Sequence, residues 1–197
     1  SNGFSFYDIR QHQGLMRTLQ LRICTTGEVM VNMVFGYYDK EKIKQLFDFI
    51  LEKFPDITTL VYTINPKWND SLVDLDAVTY HGKGYVIEKM STGIHEDEFQ
   101  FKIGPKSFFQ TNTKQGEQLY RVTREFAALT GNETVYDLYC GTGSIGIFLS
   151  KEAKKIIGVE MMKEAVEDAK ENAALNNLQS TGFFAGDVTE ICNDDFF

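Results

Sequence analysis

The sequence predicts an α/β protein in two parts: a smaller antiparallel α+β domain over residues 1–98, then part of a doubly wound parallel sheet over residues 99–197. Short apolar runs with turn residues between them fill the first part. Strand and helix patterns alternate through the second. A glycine-rich loop joins the first strand and helix of that alternation.

Residues 15–24 (LMRTLQLRIC) and 28–35 (EVMVNMVF) are strand-like, and Thr25-Thr26-Gly27 between them is a hairpin signal. Asp39 caps a helical pattern that puts Ile43, Leu46, Phe47, Ile50, Leu51 and Phe54 on one face and stops at Pro55. Thr58–Ile64 reads as a strand, broken by Asn65-Pro66-Lys67. Leu72–Val78 and Tyr85–Lys89 are expected to be short strands around Gly82 and Gly84, with Phe99–Ile103 another. From here the rhythm changes. A helix over about Thr113–Leu129 leads to the strand Thr134–Tyr139, the loop 140–146 and a helix to about Glu152. The strand Lys155–Glu160, the helix Lys163–Asn176 and the strand Gly182–Ala185 follow. Only three strands of this kind precede Phe197. A Rossmann-like sheet normally has about six, so an incomplete one is expected.

Composition narrows the function classes. Hydrophobic residues make up 43% and charged ones 24%, which is ordinary for a globular chain. No stretch approaches the roughly 18 apolar residues that span a membrane. Three cysteines, odd in number and far apart, read as reduced thiols, so a cytoplasmic protein is expected. Cys24, Cys140 and Cys192 form no CxxC pair, and His12, His81 and His95 lack ligand spacing; no metal site is predicted. Residues 1–100 and 101–197 each carry ten basic and fourteen acidic side chains, giving the net charge of −8. Such a balance opposes an autonomous nucleic-acid-binding module, because phosphate contacts need basic side chains.

The chemistry concentrates in Asp137-Leu138-Tyr139-Cys140-Gly141-Thr142-Gly143-Ser144-Ile145-Gly146. Glycines after a strand let the chain turn sharply and let a ligand approach the following backbone. Gly141, Gly143 and Gly146 satisfy GxGxxG, so a dinucleotide must be weighed. Asp137 argues against it. A carboxylate about 5 Å from a pyrophosphate oxygen is repelled by on the order of 3 kcal/mol at an effective dielectric of about 20. S-adenosyl-L-methionine has no phosphate and carries a sulfonium and an ammonium, so an acidic strand end suits it. Glu160 ends the next strand, where a carboxylate accepts ribose hydroxyls that both ligands share. Asp187 follows the third strand and is placed to accept from an adenine amino group.

The segment Phe101–Asn112 (FKIGPKSFFQTN), followed by DLYCGTGSIG and GVE, resembles the uracil-C5 RNA methyltransferases that act on tRNA and ribosomal RNA. The resemblance covers roughly residues 14–195 and is strongest from residue 99 onward. It implies S-adenosyl-L-methionine as cofactor, RNA as partner of the whole protein, and a family central domain over the first part. It also implies that Gln110 contacts the cofactor, with Tyr139, Ser144, Glu160 and Asp187 on the other contacting positions. In the family a cysteine thiolate adds to C6 of uracil, C5 attacks the methyl group, and a carboxylate base removes the C5 proton. The motifs for these steps, an SCNP-like segment and a DPPR-like strand end, do not occur here, so no catalytic residue is assigned. Cys140 in the loop is read as structural. Cys192, before the acidic Asn193-Asp194-Asp195, has no activating base in sequence, and Phe108 and Phe109 are read as core. The alternatives are a methyltransferase acting on protein or a small molecule, which leaves SFFQTN unexplained, and an NAD-linked oxidoreductase, which Asp137 disfavours.

Overall fold

The structure is a computed structural model that describes residues 3–94 and 97–192. His95 and the acidic segment 193–195 lie outside those residues. The chain divides into two compact units, one of residues up to Val86 with 104–106, the other of Ile87–Ile103 with Ser107 onward. Residues 87–94 thus group with the second unit, whereas the sequence reading draws its boundary at residue 98.

The first unit holds β1 (Met16–Ile23), β2 (Val29–Phe35), α1 (Lys40–Lys53), β3 (Thr59–Ile64) and β4 (Ala77–His81). Asp39 caps α1 by accepting from the Lys42 N–H at 3.1 Å. The sheet order is β1-β2-β3-β4. Its outer pairs are antiparallel as expected, but β2 and β3 run parallel, Met30 opposite Thr59 through Phe35 opposite Ile64. The reason is local: α1 carries the chain back across the sheet, so β3 re-enters in the direction of β2. Leu15, Val31, Met33, Phe35, Ile43, Phe47, Ile57 and Leu60 form the core beneath the helix. Each large side chain buried this way stabilises the fold by about 2 kcal/mol. Phe54 does not join them; it lies past the end of α1 and is 60% exposed. The expected strand Leu72–Val78 is also corrected. Residues 72–75 form a turn, with the Leu75 N–H donating to the Leu72 carbonyl at 3.1 Å, and the strand starts only at Ala77.

The second unit adds β5 (Val86–Ser91), β6 (Glu98–Ile103), α2 (Thr113–Ala127), β7 (Thr134–Leu138), α3 (Ser144–Leu149), β8 (Lys155–Glu160), α4 (Lys163–Leu175), β9 (Thr181–Ala185) and α5 (Val188–Ile191). β7, β8 and β9 pair in parallel in that order, as the strand–helix alternation predicts. α3 ends earlier than expected, and α5 has no counterpart in the sequence reading because four residues carry too little periodicity.

Two asparagines one turn apart, Asn172 on α4 and Asn176 at its C-cap, dock β6. The Asn172 Oδ1 accepts from the Lys102 N–H at 2.7 Å, and the Asn176 Oδ1 from the Gln100 N–H at 2.8 Å. The Asn176 Nδ2 returns a bond to the Gln100 carbonyl at 2.7 Å, so the amides substitute for a neighbouring strand. Asn172 also donates from Nδ2 to the Thr142 carbonyl at 3.2 Å, tying the glycine loop to the same helix. Phe99, Phe101, Tyr120 and Phe148 close the core between hairpin and helices, with Phe99–Phe148 ring centres 6.5 Å apart and Tyr120–Phe148 5.5 Å.

Candidate functional site

Parallel register sets the site. Leu138 pairs with Val159 and Glu160 with Ala185, so the carboxyl ends of β7, β8 and β9 lie side by side. Asp137 is next to last in β7, Glu160 is last in β8, and Asp187 stands two residues past β9. The three predicted acids therefore come to one edge of one sheet.

Between β7 and α3 the chain passes through left-handed backbone at Tyr139 (φ 64°), Gly141 (φ 54°) and Gly143 (φ 76°). A Cβ on Gly143 would come within 3.0 Å of the Phe183 ring and 3.1 Å of the Ala169 Cβ, so the loop closes there against β9 and α4. A Cβ on Gly141 would meet nothing within 4 Å, so the loop backbone faces open space at that point. Tyr139 accepts the strained conformation that a tight turn demands, and its side chain is 71% exposed.

The acids hold this loop through backbone amides. The Asp137 Oδ2 accepts from the Gly146 N–H at 2.8 Å in the first turn of α3, and burial pushes its carboxyl above the ordinary value. The Glu160 Oε2 accepts from the Gly141 N–H at 3.1 Å and its Oε1 from the Met162 N–H at 2.9 Å. Each of those oxygens keeps a second lone pair. The Asp187 Oδ1 caps α5, accepting from the Thr189 N–H at 2.7 Å and the Thr189 hydroxyl at 2.6 Å, and that hydrogen bonding holds its carboxyl below the usual range.

Gln110 arrives from the extended segment before α2. Tyr120, on α2, joins its hydroxyl to the Ser144 Oγ at 2.8 Å. Gln110 packs against the same helix at Gly116, where an added Cβ would come within 3.0 Å of its own Cβ. The structure thus ties Ser144 to a residue the sequence reading did not single out. Asn172 was missed as well. A signal existed for Tyr120: a tyrosine on the apolar face of a helix must find a partner for its hydroxyl once buried.

Phe109 is in the core as expected, 3% exposed and packed against Phe101 with the rings tilted at 47° and their centres 5.3 Å apart. Phe108 is not; it is 75% exposed, because adjacent side chains of an extended segment point to opposite sides. Cys140 is buried, and burial, followed by the charges of Asp137 and Glu160, pushes its thiol up to about 12. An open hollow of about 570 Å³ between α4 and β9, lined by Lys170, Thr181 and Phe184 among others, shares no residue with the predicted set. Among the described residues no group of three or more His, Cys, Asp or Glu stands where a metal ion could be held. No described helix is long and apolar enough to cross a membrane.

Residues 129–197 match a family model described as a methyltransferase domain. An uncharacterized RNA methyltransferase of Porphyromonas gingivalis is 47% identical over 193 residues, covering 98% of this chain and 40% of that protein. Another, of Bacteroides thetaiotaomicron, is 44% identical over 196 residues, covering 98% and 42%. Among solved structures, the Pyrococcus abyssi tRNA (uracil-54, C5)-methyltransferase in complex with S-adenosyl-L-homocysteine superposes with a TM-score of 0.74 at 26% identity. That match covers 94% of this chain and 43% of the other. The chain spans about two fifths of the length of the curated relatives it matches. It is homologous to part of proteins named as RNA methyltransferases, and its second unit has the Rossmann-like fold of a methyltransferase domain.

Proposed function

We propose, with that homology as the premise, that these residues form the cofactor-holding part of an S-adenosyl-L-methionine-dependent RNA methyltransferase whose target is C5 of a uridine in tRNA or ribosomal RNA. The observation that carries the reading is a glycine loop held at Gly141 by Glu160 of the neighbouring strand, with Ser144 bonded to Tyr120 on the helix against which Gln110 packs. The SFFQTN segment that supplies Gln110 points to the uracil-C5 class, as does the likeness to the archaeal tRNA enzyme.

The residues fit such a cofactor. Open space faces Gly141, Glu160 keeps lone pairs for ribose hydroxyls, and residues 137–146 hold no lysine or arginine that would meet a pyrophosphate. Bound there, the cofactor supplies a methyl group on a positively charged sulfur. Glu160 and Gln110 orient it, the acidic strand end of Asp137 favours its charge, and Tyr139 stands exposed at the turn. Asp187 has committed Oδ1 to α5, which leaves Oδ2 as the oxygen we assign to the adenine side.

Uracil C5 is a weak nucleophile, so the reaction needs a thiolate that adds to C6 and a base that takes the C5 proton. Cys140 is unsuited: it is buried, and its thiol is pushed up to about 12. We assign nucleophile and base to the part of the longer relatives that these 197 residues do not span. The first unit is then the central domain of such an enzyme and the second the front of its catalytic domain. With a net charge of −8 here, RNA contact in the whole protein draws on other parts, and an RNA substrate places it in the cytoplasm.

Calorimetry with S-adenosyl-L-homocysteine and with NAD tests the cofactor. The first is expected to bind and the second not; NAD binding alone would overturn the reading. In the longer protein, RNA carrying tritium at C5 of uridine should lose it in step with methyl uptake. Methylation without tritium release would rule out C5.

A further inference from the structure

We propose that Tyr120 is a positioning residue of this pocket: its buried hydroxyl holds the Ser144 side chain in place for the amino-acid end of the bound cofactor. The inference rests on the cofactor reading above and deepens it.

Two separate stretches meet at one phenol oxygen, and a third packs against the same helix. α2 presents Tyr120, α3 presents Ser144 as its first residue, and the extended segment before α2 presents Gln110. The Tyr120 ring is 2% exposed and is held edge-on against Phe148 at 5.5 Å, so the hydroxyl has little freedom to move. One turn earlier on the same helix face, Gly116 lets Gln110 lie close. A Cβ on Gly116 would come within 3.0 Å of the Gln110 Cβ and 3.3 Å of the Met90 methyl. The helix thus offers Gln110 a hollow one turn before Tyr120.

Burial pushes the Tyr120 phenol above its ordinary value, so the hydroxyl keeps its proton at neutral pH. The two hydroxyls share one hydrogen bond, in which either can donate. A lone serine hydroxyl would rotate among its staggered positions. Here one of its hydrogen-bonding directions is already taken, which narrows the choice. The groups that suit what remains are the charged ends of an amino-acid moiety beside the glycine loop.

The test is calorimetry of the chain with S-adenosyl-L-homocysteine and with adenosine, which lacks the amino-acid end. Tyr120→Phe keeps the ring and removes the link. It is expected to weaken S-adenosyl-L-homocysteine roughly tenfold while leaving adenosine within about twofold. Ser144→Ala should do the same, and the double variant should be no more than about twofold weaker than Ser144→Ala alone, since the second change removes a link already broken. Unchanged S-adenosyl-L-homocysteine affinity in Tyr120→Phe, equal losses for both ligands, or fully additive losses would each overturn the assignment. If Tyr120→Phe fails to fold, Ser144→Ala decides: retained affinity overturns the proposal, and a loss confined to S-adenosyl-L-homocysteine supports it. Failure of the unaltered chain to bind either ligand would instead remove the cofactor reading, and this proposal with it.

Discussion

Asn172 is the side chain whose removal should reveal most about how the glycine loop is held. It is 0% exposed and makes two bonds to backbone, accepting from Lys102 at 2.7 Å and donating to the Thr142 carbonyl at 3.2 Å. Asn172→Ala deletes both. Each lost bond of a fully buried amide costs about 1 kcal/mol or more, so two of them with a small void should destabilise the second unit by roughly 3 kcal/mol. Asn176 provides the control. It makes the same kind of bonds to Gln100 at 2.8 and 2.7 Å, but at an exposed position where water replaces them, so Asn176→Ala should cost about 1 kcal/mol or less. Urea unfolding followed by far-ultraviolet circular dichroism measures both. Trp68, the single tryptophan, belongs to the first unit and does not report the event directly. Hydrogen exchange at the Lys102 amide gives a local readout. A cost for Asn172→Ala below about 1 kcal/mol, or no larger than that for Asn176→Ala, would refute the reasoning.

Burial raises the Asp137 carboxyl, so its favourable contribution to stability is complete below the ordinary value of 3.8 and is lost as pH rises through the raised folded value. Asp137→Asn, which can still accept from Gly146, should therefore be at least as stable as the parent at pH 7. The difference should narrow toward about pH 3 in urea midpoints measured at both pH values, and cofactor binding should weaken. Gly143→Ala combines a φ of 76° with an approach of 3.0 Å to the Phe183 ring. It should destabilise the second unit by about 2 kcal/mol and lower affinity for S-adenosyl-L-homocysteine; a midpoint within error of the parent would contradict the loop packing. With its thiol at about 12 and its side chain buried, Cys140 should resist iodoacetamide at about pH 8, while the partly exposed Cys192 reacts. Mass-spectrometric mapping checks this, and rapid labelling of Cys140 would count against it.

Much of the second unit was legible because its signals are local. A β-branched run bounded by turn residues fixes β8, and the loop between β7 and α3 announces itself by glycines that only a tight left-handed turn requires. The misreadings have equally local causes. Leu72–Val78 holds strand-forming residues, yet Asp74 and Asp76 sit among them, and the turn closed by Leu75 takes the first half. The adjacent Phe108 and Phe109 were read alike, although an extended chain can bury only one of them on a given side. The parallel pairing of β2 with β3 was overlooked although the helix between them is the connection parallel neighbours need; the hairpin signal before β2 set the reading of the whole part.

By itself, the sequence determined the order of the elements, the three acids at successive strand ends and the amide at Gln110, since each depends on residues close together in the chain. Only the tertiary structure decided which of those groups share a partner. Tyr120 is 24 residues from Ser144, and Asn172 is 70 from Lys102 and 30 from Thr142. Contacts over such separations leave no periodic trace, because they arise from register and helix packing that form only when distant segments bury one another's apolar faces.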